Sequence, residues 1–357
     1  MSWRDFLREA LASLEVYRTH DYRPGLVRLD ANESPFPLDQ ADLDTFAHEL
    51  SRLAFHRYPD VSGRPLRQAF ARRHQVSPEQ VLVGNGSDET ISILATAFAE
   101  GRRGRGKVLF PVPTFGSYEA IALARGAEPV KLPLREDWTL DEAAALEAIR
   151  REQPALCFFA TPNNPTGNRF DALALERLAR ESPGVFVADE AYADFAAQTM
   201  IPLVGEIEGF CVMRSLSKIG LAALRVGALI GPSDLVAQLD KVRLPYNVNA
   251  VSMALACAVL ENPERLEERV RKVAAARKEL AAGLAAVPGL TVFPSEANFV
   301  LVRTPIDGQR AWQRLLERGV LVRNLSRPGP LENCLRVTAG TPEENQRCVD
   351  AMRAALA

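Results

Sequence analysis

ALCFFATPNNPTGNRF at residues 155–170, with GVFVADEAY at 184–192 and FCVMRSLSKIGLAALRVG at 210–227, decides the fold of this chain. Each stretch opens as a short, continuous apolar run and then turns abruptly polar. Runs of this length without alternation are strands covered on both faces, as in a parallel sheet flanked by helices. Working outward, VLVG (81–84), KVLFP (107–111) and VGALIG (226–231) are runs of the same kind. Helical patterning at 88–99, 115–125, 141–151 and 171–181 separates them, so the region from Val81 to about Gly231 reads as βαβ units around a mostly parallel central sheet.

A second cluster follows. TVFP (291–294), NFVLVR (298–303), GVLVR (319–323) and CLRVT (334–338) are strand candidates, and 307–318 and 342–356 are helix candidates. They make a smaller C-terminal α/β unit. Residues 262–286 carry charged helical patterning with Leu266, Val270, Val273, Leu280 and Leu284 near one face, suited to bridging the two units. The first thirty residues read as a short amphipathic helix (Trp3, Phe6, Leu7, Leu11, Leu14) and an irregular arm around Tyr22–Gly25. The expected organisation is an arm over 1–30, a large domain over 31–250 and a small domain over 251–357.

Bulk properties narrow the chemistry. At 357 residues the chain has ample core for a large and a small domain, and 25% charged residues is ordinary for a soluble protein. A formal net charge of −2 supplies no basic field for nucleic acid or an anionic membrane, so the expected partner is a small molecule. The five cysteines (Cys157, Cys211, Cys257, Cys334, Cys348) form no CxxC pair, which argues against zinc or a disulfide framework and for a reducing, cytoplasmic setting. MSWRDFLREA at the start has no apolar signal core, and no apolar run approaches a membrane span. The four histidines (His20, His48, His56, His74) lack ligand spacing, so no metal is expected. Gly101–Lys107 superficially fits GxxxxGK, but Val108 stands where Ser or Thr would hold magnesium and a strand follows instead of preceding it.

Parallel sheets place ligands at the carboxyl ends of their strands. Here those ends carry Asn164, then Asp189 and Tyr192, then Ser215, Ser217 and Lys218: an amide, a carboxylate with a phenol, and an amine. Taken singly, NNPTG is a good turn, Asp189 a helix cap and Lys218 a solvated lysine. The ordered combination is much harder to obtain by chance.

That combination resembles the fold-type I pyridoxal 5′-phosphate (PLP) aminotransferases, and the resemblance runs from Leu29-Asp30-Ala31-Asn32-Glu33 to Leu335-Arg336-Val337. Within them, LDANESPFP, RYPD (57–60), GNGSDE (84–89), PTF (113–115), SLSKIGLAALRVG, PYNV (245–248) and ANF (297–299) are similar to the histidinol-phosphate aminotransferases. The resemblance implies that Lys218 holds PLP as a Schiff base and serves as the base that moves the α-proton. It implies that Asp189 keeps the ring nitrogen protonated, since a nearby opposite charge raises that group's pKa. Tyr192 and Asn164 would bond the ring's phenolate oxygen, and Phe115 would stack on the ring, although a plain core aromatic is an equal reading of that residue alone.

For the cofactor phosphate, Gly86, Ser87 and Asp88 precede an apolar-patterned helix whose first N–H groups suit an anion. Ser215, Ser217 and Arg225 join them by resemblance. Arg225 lies seven residues past Lys218, one fewer than in the commonest form of the motif. Tyr58 matches a tyrosine lent to the phosphate by the other subunit, which implies a homodimer with shared sites. Arg336 matches the arginine that clamps the substrate anion, with Arg323, Asn32 and Tyr22 as further substrate contacts. The implied reaction is transamination of L-histidinol phosphate with 2-oxoglutarate in histidine biosynthesis. Two alternatives stay open: another PLP enzyme, such as an aromatic aminotransferase or a threonine-phosphate decarboxylase, and a non-catalytic PLP-binding regulator.

Overall fold

In the computed structural model, which describes residues 2–14, 16, 23–101, 104–196 and 198–357, two sheets organise the chain. Strand β1 (Val27–Leu29) comes first, then β2 (Val81–Asn85). A two-stranded hairpin of β3 (Glu100–Gly101) and β4 (Gly104–Arg105) stands where the GxxxxGK look-alike lies, so that segment opens no helix. Next come β5 (Lys107–Val112), β6 (Glu128–Pro133), β7 (Leu156–Ala160), β8 (Val185–Asp189), β9 (Phe210–Ser215) and β10 (Val226–Ile230). The C-terminal region adds β11 (Thr291–Val292), β12 (Phe299–Arg303), β13 (Val320–Asn324) and β14 (Cys334–Thr338).

The large sheet has the order β2-β10-β9-β8-β7-β5-β6. Strands β5 to β9 run parallel, and β10 alone is antiparallel to both of its neighbours. The carboxyl ends of β2, β5, β7, β8 and β9 therefore share one edge with the start of β10. Strands β7, β8, β9 and β10 are buried at every position, as their unbroken apolar runs require when helices cover both faces. Helices Ser87–Phe98 and Ser117–Arg125 pack Ile91, Leu94 and Ala122 on one face, and Glu142–Glu152 and Ala172–Glu181 pack Ile149, Leu175 and Leu178 on the other. Asp141 and Asp171 cap the last two helices through backbone N–H bonds.

The smaller sheet has the order β1-β13-β14-β12-β11. Val27 and Leu29 of β1 join its core, although the sequence pattern there reads only as an arm. Helix Pro263–Ala285 does bridge: Leu266 lies in the core beside β2 and β10, whereas Leu280 and Leu284 lie in the core of the smaller sheet. The expected N-terminal amphipathic helix is instead two 3₁₀ segments, Trp3–Phe6 and Glu9–Ser13. Trp3, Phe6 and Leu7 are exposed, so no packed face supports a longer helix, and helices this short are marginal unaided. Among the described residues, no helix is long and apolar enough to cross a membrane.

Candidate active site

The shared strand edge gathers most of the residues singled out above. Lys218 sits in a 3₁₀ turn, Ser217–Ile219, two residues past the end of β9, and its Nζ lies 5.7 Å from the centre of the Tyr192 ring. Asp189 ends β8 and is buried. Its Oδ1 accepts from the Ala191 N–H at 3.0 Å, and its Oδ2 accepts from the Tyr118 hydroxyl at 2.5 Å. Burial pushes the Asp189 carboxyl up to about 6, against the downward pull of the Tyr118 and Ala191 hydrogen bonds. Lys218 offsets this burial only in part, and a buried carboxylate in this condition favours a cationic N–H donor as neighbour.

The Tyr192 hydroxyl accepts from Nδ2 of Asn32 at 2.8 Å. Asn32 is buried with a left-handed backbone (φ 54°), and three bonds hold it there. Its N–H donates to Oγ1 of Thr338, its Oδ1 accepts from that hydroxyl, and its carbonyl accepts from Nδ2 of Asn298. Asn32 thus ties the smaller sheet to the phenol at the end of β8. A second tie is Arg336 of β14, which donates from Nη1 to Oδ1 of Asn164 at 2.6 Å and from Nη2 to the Asp30 carbonyl at 2.7 Å. Its guanidinium also lies 5.3 Å from the Phe299 ring centre. Arg323 pairs with Arg336 across β13 and β14, so two guanidinium-bearing positions are cross-strand neighbours.

A separate cradle forms where β2 ends. Helix Ser87–Phe98 begins at Gly86 with no side chain capping it among the described residues, so first-turn N–H groups face outward as an anion site. Gly86 has φ +81°, and a Cβ there would come within 2.7 Å of Nη2 of Arg225. A Cβ at Gly227 would meet the Ser87 nitrogen at 2.6 Å, so glycine keeps this wall low as well. Arg225 donates to Ser217 Oγ at 3.3 Å and approaches Asp88 Oδ2 at 3.4 Å. The loop between Lys218 and Arg225 is short, yet the guanidinium reaches the cradle because Arg225 takes a left-handed backbone (φ 51°). Ser215 Oγ accepts the Ser217 N–H at 3.2 Å.

Phe115 is half-buried beside the site, edge-on to Tyr118 with ring centres 5.6 Å apart. Tyr58 does not join the cluster of its own chain: it is 81% exposed and stacks on Tyr246 with centres 4.5 Å apart. Tyr22 lies outside the described residues. Sequence reasoning missed Tyr118, which is one helical turn past Phe115 and looks like part of an ordinary apolar face. It also missed Asn163, buried and bonded to Thr114, Thr166 and the Pro113 carbonyl, which fastens the Asn164 turn to the end of β5.

The cradle and the cluster together fit a flat, anionic, ring-bearing cofactor. An amine, a buried carboxylate and a phenol lie at one end, and a helix start with hydroxyls and a guanidinium lies at the other.

Residues 24–352 match the family described as aminotransferase class I and II. Over 357 residues the chain is 43% identical to histidinol-phosphate aminotransferase 2 of Cupriavidus pinatubonensis, covering 98% of this chain and 96% of that protein. Among solved structures, histidinol-phosphate aminotransferase from Sinorhizobium meliloti in complex with pyridoxal-5′-phosphate superposes with a TM-score of 0.86 at 24% identity, covering 98% of this chain and 97% of that one. L-threonine-O-3-phosphate decarboxylase from Porphyromonas gingivalis also superposes, with a TM-score of 0.80 at 22% identity over 93% of this chain and 99% of that one. The fold is therefore common to different reactions.

Proposed function

Because this chain belongs to the class I and II aminotransferases, we propose that it is a PLP-dependent enzyme that moves the amino group of L-histidinol phosphate to 2-oxoglutarate in histidine biosynthesis. The observation that carries the chemistry is the convergence of Lys218, Asp189, Tyr192 and Asn164 on one sheet edge. The observation that carries the substrate is 43% identity over 98% of the chain to a histidinol-phosphate aminotransferase.

PLP, when bound, supplies an electron sink that stabilises negative charge on the carbon losing its proton. The rest of the work falls to the chain. Lys218 Nζ is the amine beside the ring site; it would hold the cofactor covalently and, once released, take the donor's α-proton and hand it back on the other carbon. Asp189 would accept the ring N–H, gaining a directly bonded cation for a buried carboxylate whose bonds now come from Tyr118 and Ala191. Tyr192 already accepts from Asn32, so its own proton is what it has to offer the ring oxygen, beside Asn164. Phe115 would cover the ring face. The first-turn N–H groups of Gly86, Ser87 and Asp88, with Ser215, Ser217 and Arg225, would take the cofactor phosphate.

The donor has no α-carboxylate, only a phosphate ester on the adjacent carbon, whereas the acceptor has a carboxylate there. A single pocket around Arg336 and Arg323 would serve both anions, because a guanidinium fork suits either. Asn32 would border the pocket, and Tyr22 remains a candidate for the substrate phosphate. The same reading includes a homodimer: Phe55, Tyr58, Val61, Leu244 and Tyr246 leave a set of exposed apolar side chains, and Tyr58 would serve the partner's phosphate site. It also includes the division into arm, large and small domains at residues 30 and 250, and a cytoplasmic setting, which the five free cysteines support.

The direct test is to mix the PLP-loaded protein with L-histidinol phosphate, histidine, phenylalanine or threonine phosphate and follow the absorbance of the lysine-bound cofactor. Rapid loss of the band with histidinol phosphate, restored by 2-oxoglutarate, is the expected result. A strong response to phenylalanine alone, or carbon dioxide released from threonine phosphate, would replace the substrate while keeping the cofactor. A PLP-loaded protein inert to all four would favour a binding regulator.

A further inference from the structure

Resting on the proposed PLP chemistry, we infer that Tyr118 is a positioning residue for the reaction: its hydroxyl holds Asp189 oriented and charged toward the cofactor's ring N–H. Tyr118 is fully buried in the first turn of helix Ser117–Arg125. Its ring stacks on Phe158 of β7 with centres 4.9 Å apart and an interplanar angle of 9°, and it meets Phe115 edge-on. Packing on the two phenylalanines therefore sets where the phenol points. The hydroxyl is then a fixed donor, and Asp189 Oδ2 is what it reaches, at 2.5 Å.

Were volume the whole requirement, phenylalanine would fill the place as its neighbours do. A buried hydroxyl costs free energy unless it is bonded, and here it is spent on the one carboxylate that ends β8. A carboxylate accepts on both oxygens. With Ala191 N–H on Oδ1 and Tyr118 on Oδ2, the plane of the group is set from two sides before any cofactor arrives. Three other ionisable groups lie around the pair: Asp88 from the helix after β2 disfavours the charge on Asp189, Lys218 from the turn after β9 favours it, and Tyr192 acts on Tyr118. The Tyr118 bond is the largest of the influences that keep Asp189 charged against its burial. Phe115 and Tyr118, one turn apart, would join the ring-stacking group to the group that steadies the ring-nitrogen partner.

Tyr118→Phe keeps the ring and deletes the donor. In the cofactor-free protein, urea unfolding is followed across pH 4.5–8.5 for the wild type, Tyr118→Phe, Asp189→Asn and the double variant. The titration step that Asp189→Asn removes should move upward in Tyr118→Phe by about one to two pH units, the size of a hydrogen bond to a charged group. In the double variant no step should remain. Stability lost equally at every pH, with the step unmoved, would mean that the hydroxyl is only structural and would overturn the inference. If Tyr118→Phe does not fold, 3-fluorotyrosine placed at position 118, a stronger donor of nearly the same shape, should move the step downward; an unmoved step again overturns it. In the loaded protein, Tyr118→Phe should weaken PLP binding about tenfold and add nothing once Asp189 is Asn. An equal further loss on that background would break the proposed link. A wild-type protein that takes up no PLP would sink the proposed function, and the cofactor-free titration would separately decide whether Tyr118 controls Asp189.

Discussion

Arg336 reaches out of the smaller sheet and donates to Oδ1 of Asn164, 2.6 Å away on a loop of the larger one. The amide proposed for the cofactor and the guanidinium proposed for the substrate are therefore a single bonded unit spanning two sheets. Asp30 holds the other side of the same guanidinium through its carbonyl, so Arg336 is oriented by the chain itself.

That arrangement predicts that Arg336→Ala weakens both half-reactions. Loss of a charge-assisted contact of about 1.5–3 kcal/mol corresponds to a fall in kcat/KM of about tenfold to a hundredfold. Arg323→Ala should penalise histidinol phosphate more than glutamate. Equal losses for the two substrates in single-turnover measurements would refute a division of labour between the paired arginines.

Replacing Lys218 with alanine removes the amine that would hold the cofactor and move the proton. Turnover should vanish, while PLP still binds non-covalently through the Gly86–Arg225 cradle and shows the spectrum of the free aldehyde. Substantial remaining turnover would exclude Lys218 from both roles.

Asp189 should make the cofactor-free protein sensitive to pH in a defined sense. Its carboxyl is raised from 3.8 to about 6 in the folded chain, so its ionisation opposes folding. The contribution is fully favourable below about pH 4 and is lost as pH rises through about 6, by an amount on the order of 3 kcal/mol. Relative to Asp189→Asn, the wild-type protein should lose urea resistance over that window, and PLP should restore it. A wild type and variant whose pH profiles run parallel would contradict this.

Gly86→Ala should damage the cradle more than its size suggests. Gly86 has φ 81° and ψ 168°, a conformation open almost only to glycine, and its missing Cβ would press on Arg225. The expected cost is about 1–3 kcal/mol of stability with weaker PLP binding, read by thermal unfolding with and without the cofactor.

Shared sites in a homodimer would be revealed by complementation. When Lys218→Ala protein and Tyr58→Ala protein, the latter first assayed alone so that its residual activity can be subtracted, are mixed and allowed to exchange subunits, half of the dimers are mixed. Each mixed dimer has one doubly damaged site and one intact site, so about a quarter of the wild-type activity should appear. No recovery after demonstrated exchange would mean that Tyr58 serves its own chain or none.

Much of the larger sheet was legible because its strands are buried on both faces. Runs such as Leu156–Ala160 and Phe210–Ser215 are then continuous in the sequence, and the residues that end them are visible as polar interruptions. The three-residue strand Val27–Leu29 was not legible, since a segment that short has no period to detect and its partner, Val320–Asn324, lies near the other end of the chain. The antiparallel setting of Val226–Ile230 was hidden for a related reason: a strand buried on both faces looks the same in either direction.

By itself, then, the sequence determined which residue types stand at the strand ends: Asn164, Asp189, Tyr192 and Lys218, each at a place where an apolar run stops. Hydrophobic periodicity is local and survives in one dimension. Only the tertiary structure decided what those groups touch. Asn32 meets Tyr192 across 160 positions of chain, Arg336 meets Asn164 across 172, and Tyr118 meets Asp189 across 71. Hydrogen bonds depend on directions fixed by packing, and no local pattern encodes them.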